Sequence, residues 1–189
     1  MTHKLTFAAL ALAAATAAQA EPTTYQIDPS HTFVTFEVVH YGTSTVRGRF
    51  DKKEGTVQFD RAAKTGKVEL TIDIASISTG VAAFNGQLVG ERWFKATEFP
   101  SATFTGDKFG FTGDKVSEVA GTLTFMGKSN PVVLEASNFN CYFNPMVKRE
   151  VCGGDFSVTI QRSQYGMTQG LPNIPDTVRL VVQVEAVKQ

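Results

Sequence analysis

An antiparallel all-β fold is what this sequence predicts. Three observations carry that prediction. Apolar and polar residues alternate with a period of two in run after run; turn-forming residues separate the runs; and a single segment, residues 78–100, departs toward helical spacing. Eight or so strands at short spacing, with little helix between them, exclude the alternating pattern of a parallel α/β sheet. Each strand offers one face to a shared core. A sandwich of two sheets and a closed barrel both satisfy that pattern, and alternation alone does not separate them.

The first clear strand is Val34-Thr-Phe36-Glu-Val38, bracketed by His31 and His40. Val68, Leu70, Ile72 and Ile74 then alternate with Lys67, Glu69, Thr71 and Asp73. Thr122–Phe125, Val132–Ala136 and Phe156–Ile160 repeat the theme, as do Val178, Leu180, Val182 and Val184 set against Arg179, Gln183 and Glu185. Turn signals lie between them at Gly55, Ala63–Gly66, Gly106-Asp107, Thr112–Asp114 and Met126–Pro131. In the excursion, Phe84, Leu88 and Trp93 recur at near-helical spacing, with Ser78 or Thr79 placed to cap a helix start. Gly86 and Gly90 weaken that helix, so short helical turns are expected. The excursion either covers one end of a barrel or serves as a crossover connection.

Residues 1–20 read as a cleaved signal peptide: Lys4, an apolar run from Leu5 to Ala18, and Ala18-Gln19-Ala20 before Glu21. The run is too short to span a bilayer. Residues 21–189 are then expected to form one domain, exported to the bacterial periplasm, with release from the cell as the alternative. Eighteen basic residues balance eighteen acidic ones without any basic stripe, which argues against a nucleic-acid partner. Fifteen Phe supply most of the aromatic content, enough apolar surface for a core and for a lined pocket. Cys141 and Cys152 are the two cysteines, and in an oxidising compartment an even pair most simply forms a disulfide. A loop of about a dozen residues closed this way contributes on the order of 3 kcal/mol. A redox-active pair would favour C-x-x-C at a helix start.

The polar candidates each have two readings. His31 and His40 form a metal pair only if further ligands converge, and no H-E-x-x-H or comparable spacing is present. Otherwise His31 satisfies a turn and His40 ends a strand. Asp28, Ser30 and His31 invite comparison with a nucleophilic triad, but residues adjacent in sequence rarely reach triad geometry, and an Asx turn begun by Asp28-Pro29 is the plainer reading. Arg162 continues the inward parity of Phe156, Val158 and Ile160, where a charge needs a partner. A ligand head group, or a carboxylate such as Asp28 or Glu98, would supply one.

Several stretches together resemble the YceI-like family. These are the opening Tyr25-x-Ile27-Asp28-x-x-His31-Thr-x-Val34-x-Phe36-x-Val38-x-His40-x-Gly42-x-Ser44-x-Val46-x-Gly48-x-Phe50, "ASISTG" (Ala75–Gly80), "FKATEFPSATF" (Phe94–Phe104), "GTLTFMGKSNPVVLE" (Gly121–Glu135) and "RSQYGM" (Arg162–Met167). The resemblance implies an extended eight-stranded antiparallel β-barrel, lipocalin-like, with a helical excursion and an internal tunnel. It also implies a long-chain isoprenoid as ligand, either a polyprenyl lipid or an isoprenoid quinone such as ubiquinone. No catalytic chemistry or catalytic cofactor common to the family comes with it, so a carrier or storage protein is expected rather than an enzyme. The tunnel lining is expected from Val34, Phe36, Val38, Leu70, Ile72, Phe84, Leu88, Trp93, Phe94, Phe104, Leu123, Phe125, Phe156, Val158, Ile160 and Arg162.

Two places depart from the family. Members commonly carry a charged Arg-Asp-x-His-Leu stretch in the excursion, where this chain has Asn85-Gly86-Gln87-Leu88, and "NFNCYFNPMVKREVC" adds a cysteine-pinned hairpin. Two other classes stay open at this point: a structural or adhesion module with a filled interior, and an enzyme acting on a quinone or lipid. Phe33 and Val39 fall on the outward parity, where a homodimer contact could form.

Overall fold

The alternating runs become eleven strands and one α-helix among the described residues, 22–189, of a computed structural model. The expected signal peptide lies outside the described residues. The strands are β1 (Thr23–Ile27), β2 (Phe33–His40), β3 (Ser44–Phe50), β4 (Lys53–Asp60), β5 (Thr65–Asp73), β6 (Ile77–Ser78), β7 (Ser101–Thr112), β8 (Lys115–Phe125), β9 (Lys128–Asn144), β10 (Arg149–Gln161) and β11 (Thr177–Lys188). The helix α1 spans Ala82–Val89. All pairings are antiparallel. They run β1-β4-β5-β7-β8-β9-β10-β11, and β11 returns to β1 through Tyr25–Lys188, Gln26–Val187 and Ile27–Ala186. Eight strands therefore close a barrel, which resolves the choice between barrel and sandwich.

Three walls are bent rather than straight, which is why eleven segments build eight staves. β1 and β2 are halves of one stave broken at residues 28–32, β3 and β4 break at Asp51-Lys52, and β5 reaches β6 through a helical turn at Ile74–Ser76. At the first break the ladder to β11 loses its regular partners between Ile27–Ala186 and Phe33–Gln183. The chain replaces them. Thr32, 0 % exposed, donates its hydroxyl to the Glu185 carbonyl at 3.2 Å and accepts from the Glu185 N–H at 3.2 Å, while the Asp28 N–H donates to the same carbonyl at 2.9 Å. A buried backbone amide is thus satisfied by a side chain where strand pairing fails.

Some turn signals prove to be features inside strands. Gly55 lies within β4, where an added Cβ would stand 2.2 Å from the Glu69 carbonyl oxygen, so glycine there permits close strand approach. Gly106-Asp107 marks a register shift within β7, a β-bulge, rather than a chain reversal. The excursion holds a real helix, but its N-cap is Val81 with no side-chain capping bond. Asn85 instead reaches back from α1, its Oδ1 accepting from the Thr79 N–H at 2.8 Å and the Thr79 hydroxyl at 2.7 Å. Cys141 and Cys152 are disulfide-bonded and sit directly opposite each other on β9 and β10.

Thr32→Val keeps the volume at the break and removes both hydroxyl bonds. The expected loss is on the order of 2 kcal/mol in urea unfolding, because the buried Glu185 N–H is left unpaired; an unchanged midpoint would show that the break does not depend on this hydroxyl.

Candidate functional site

Strand parity sends one residue in two to the barrel axis, and those residues enclose two apolar cavities. One, of about 90 Å³, lies toward the β9–β10 hairpin and is walled by side chains such as Ile27, Phe59, Leu70, Phe104, Phe139, Phe156 and Val184. The other, of about 120 Å³, lies toward α1 and is walled by Val34, Phe36, Phe50, Ile72, Leu88, Phe94, Ala102, Leu180 and their neighbours. The two meet end to end. A single two-residue step, roughly 7 Å along a strand, passes from the hairpin-end wall to the helix-end wall at Leu70–Ile72, Phe104–Ala102 and Val182–Leu180.

The interior is hollow because large rings lie against the wall instead of crossing it. A Cβ on Gly48 would stand 2.6 Å from the Phe36 ring, and one on Gly121 would stand 2.8 Å from the Phe104 ring. Both rings occupy space that any other residue would fill. Further aromatics close the two ends. Phe59 gathers Phe109, Phe111 and Phe139 at ring-centroid distances of 6.3, 6.1 and 5.8 Å at the hairpin end. Phe94 packs against Phe36, Phe50 and Phe125 at 6.1, 6.1 and 5.7 Å at the helix end, brought there by the turns that follow α1.

Eleven of the expected lining residues, Val34, Phe36, Val38, Ile72, Leu88, Trp93, Phe94, Leu123, Phe125, Ile160 and Arg162, wall the helix-end cavity. Leu70, Phe104 and Phe156 wall the hairpin-end cavity. Phe84 and Val158 are in neither wall: Phe84 packs α1 onto the main core, and Val158 packs with Leu123, Ile160 and Tyr165 in a smaller cluster. Sequence reasoning missed most of the hairpin-end wall, including Tyr25, Phe59, Val116, Val119 and Phe139, although Val182 and Val184 carried a readable alternation. It also missed Met167 and Ile174, which come from a loop without periodicity.

Arg162 pairs with neither Asp28 nor Glu98. It leaves β10 in a helical turn, Arg162–Tyr165, 3 % exposed, and its guanidinium donates to three carbonyls: Nε to Pro175 at 2.9 Å, Nη1 to Met167 at 3.0 Å and Nη2 to Ile174 at 2.9 Å. Asp28 is occupied in its own turn, and Glu98 lies 3.8 Å from Lys95. Burial lowers the Arg162 pKa, opposed by the charge of Asp176, which in turn accepts from the Ser163 N–H and hydroxyl. The side chain thereby ties residues 166–176 across the helix end of the barrel.

The other polar candidates sit away from the cavities. Ser30 donates its N–H and its hydroxyl to Asp28 Oδ1 at 2.8 and 2.6 Å, an Asx turn, and His31 Nδ1 donates to Asp28 Oδ2 at 2.8 Å. Ser30 and Asp28 both approach the same ring nitrogen, whereas a triad needs them on opposite nitrogens. His40 ends β2 with its ring against Tyr41 at 4.7 Å. Among the described residues no three His, Cys, Asp or Glu side chains converge as a metal site. Phe33 on the outer wall is flanked by its own chain, with the Arg49 guanidinium at 5.2 Å and the ammonium of the buried Lys53 at 4.8 Å from its ring. At the hairpin end, Tyr25 donates to Glu150 at 2.6 Å; burial, then that carboxylate, pushes its hydroxyl well above the usual phenol range.

The YceI-like domain family matches residues 25–186. Protein YceI of Salmonella agona is 32 % identical over 187 residues, covering 97 % of this chain and 95 % of that protein. The crystal structure of Burkholderia cenocepacia BcnA superposes with a TM-score of 0.71 at 26 % identity, covering 85 % of this chain and 99 % of BcnA. A polyisoprenoid-binding domain from Saccharophagus degradans, implicated in plant cell wall breakdown, shares the fold with a TM-score of 0.63 at 17 % identity, over 88 % of this chain and 99 % of that one. No helix among the described residues is long and apolar enough to cross a membrane.

Two outcomes follow from the polar geometry. Arg162→Met strands three carbonyls and is expected to cost on the order of 3 kcal/mol, with limited proteolysis newly cutting within residues 166–176; a variant as stable and as resistant as the parent contradicts the tie. Burial raises the Asp28 pKa, but the bonds from Ser30 and His31 outweigh it and hold the carboxyl at about 2 against an ordinary 3.8. A depressed carboxyl stabilises above its unfolded value and loses that contribution as pH falls toward its folded one, so this part of the stability fades from about pH 4 to about pH 2. Asp28→Asn should flatten the acid titration of stability across that window, read by thermal unfolding.

Proposed function

The chain belongs to the YceI-like family, and from that membership and its divided apolar interior we propose that it is a periplasmic carrier or storage protein for a long-chain isoprenoid lipid. The observation that carries this reading is the pair of cavities stacked on one barrel axis. Apolar voids of this kind stay dry, and each costs roughly 2–3 kcal/mol relative to a filled core at about 24 cal/mol per Å³. A purely structural barrel gains nothing from keeping them, whereas a hydrocarbon chain gains roughly 0.8 kcal/mol for every CH₂ removed from water.

The shape selects the ligand class. From Val178 to Ala186 the cavity-facing file of β11 extends for roughly 27 Å, so the occupant is long and thin rather than compact. A polyisoprenoid is the ligand named for the Saccharophagus degradans domain of the same fold, and we extend that class to this chain, with a polyprenyl lipid or the tail of an isoprenoid quinone such as ubiquinone as occupant. The reading is of binding without turnover: the His31–Asp28–Ser30 turn is exposed and outside both walls. The disulfide and the expected signal peptide support an oxidising, exported setting.

Organic extraction of protein purified from the periplasm, followed by mass spectrometry, is expected to give an isoprenoid in near-stoichiometric amount. Ala102→Phe, which places a ring in the helix-end cavity, should leave the fold intact and lower the co-purified lipid by about tenfold or more. Native protein free of lipid in every preparation, or a full load in Ala102→Phe, would falsify the proposal.

A further inference from the structure

The β9–β10 hairpin runs past the rim of the barrel. β8 follows β9 only to the Glu118–Glu135 pair, and β11 follows β10 only to the Val151–Val187 pair. Beyond these, Phe143–Glu150 and Asn144–Arg149 pair with each other alone, braced by Cys141–Cys152 and closed by Asn144 Oδ1, which accepts from the Met146 N–H at 2.9 Å. The projecting tip is apolar where water would favour polar groups: Phe143 is 66 % exposed and Met146 89 %, with Tyr142 and Val147 also exposed. Lys148 and Arg149 follow directly, both exposed. The adjacent acid, Glu150, is engaged by the Tyr25 hydroxyl at 2.6 Å and by Arg61 at 3.7 Å, so the tip itself carries uncompensated positive charge.

The tip is also continuous with the cavity. Phe139 and Cys152 wall the hairpin-end cavity, Cys141 packs on the same core, and Phe143 is the next residue of that inward file. An apolar rail thus leads from the lumen to the exposed end.

We propose that this tip docks into the interface of an anionic phospholipid bilayer, with Phe143, Met146 and Val147 below the head groups and Lys148 and Arg149 at their level, so that the hairpin-end cavity faces the membrane. The inference rests on the isoprenoid-carrier reading, since such a ligand is exchanged with a bilayer. Apolar side chains flanked by basic ones bind anionic interfaces through buried area and charge together. A second copy of this chain fits the tip less well. The apolar groups gather at a point rather than on a face, the outward residues behind Tyr142 along the hairpin are Asn138 and Asn140, and two such tips repel by charge.

Flotation of the full mature protein tests this, using vesicles of phosphatidylglycerol with phosphatidylethanolamine against vesicles of phosphatidylcholine alone, with co-purified isoprenoid measured on the same samples. The protein is expected to float with the anionic vesicles and to be released by salt. Phe143→Ser with Met146→Ser should weaken association about tenfold or more, and Lys148→Gln with Arg149→Gln should weaken it on anionic vesicles specifically, with the thermal midpoint unchanged. Wild-type protein that carries isoprenoid but does not float overturns the docking and leaves the carrier reading intact. Floating protein devoid of isoprenoid supports the docking and removes the carrier. Variants that float like the parent, or that change only the oligomeric state, overturn the docking.

Discussion

Closure of the barrel depends on how β11 holds a bent partner. Its C-terminal part pairs with β1 and its middle with β2, and between those two the ladder is carried by the Thr32 hydroxyl and the Asp28 N–H on Glu185. Without this splice the stave formed by β1 and β2 would have to run straight or detach at residues 28–32. A ring that is shut has no free edge along that seam, and only a shut ring turns alternating strands into an enclosed, dry lumen. The Asx turn of Asp28, with Ser30 and His31, shapes the bend, and its histidine lies outside both cavity walls.

The lumen survives folding because aromatic rings and glycines are paired across neighbouring strands. Phe36 over Gly48 and Phe104 over Gly121 place the largest side chains flat against the sheet, so the strands are well packed while the axis stays open. Ordinary cores interdigitate across the axis instead. At the helix end, Phe94 and the Arg162-bound loop close the space; at the hairpin end the Phe59 cluster does so, and beyond it an apolar tip stands in solvent. An empty lumen and an exposed apolar tip are each unfavourable for an isolated protein. The proposed hydrocarbon ligand, exchanged with a bilayer, would account for both.

The strands were readable because each long run alternates apolar and polar residues, and Val178 to Val184 or Val68 to Ile74 show that pattern without interruption. Their ends were not, since β9 continues to Asn144 through Asn138 and Asn140, polar residues that face outward on a strand whose inner face is Phe139 and Cys141. Gly55 and Gly106 looked like turns because glycine gives the same signal for close strand approach and for a bulge. Period two also found the helix-end wall, where the staves are regular, and fell short at Val158, which keeps the parity of Ile160 but packs into a side cluster. The inward parity of Arg162 marks it as a buried charge. Its partners were out of reach of sequence reasoning because they are carbonyls, which every residue possesses, on a loop with no pattern of its own.

The most direct measurement is a crystal structure of the protein purified from its native cells without removal of lipid. One unbroken chain of density should run from the helix-end cavity, past the side chains of Leu70, Phe104 and Val182, into the hairpin-end cavity. A lumen occupied by ordered water, or closed by Phe36 and Phe104 turning inward off their glycines, contradicts a hydrocarbon-binding barrel.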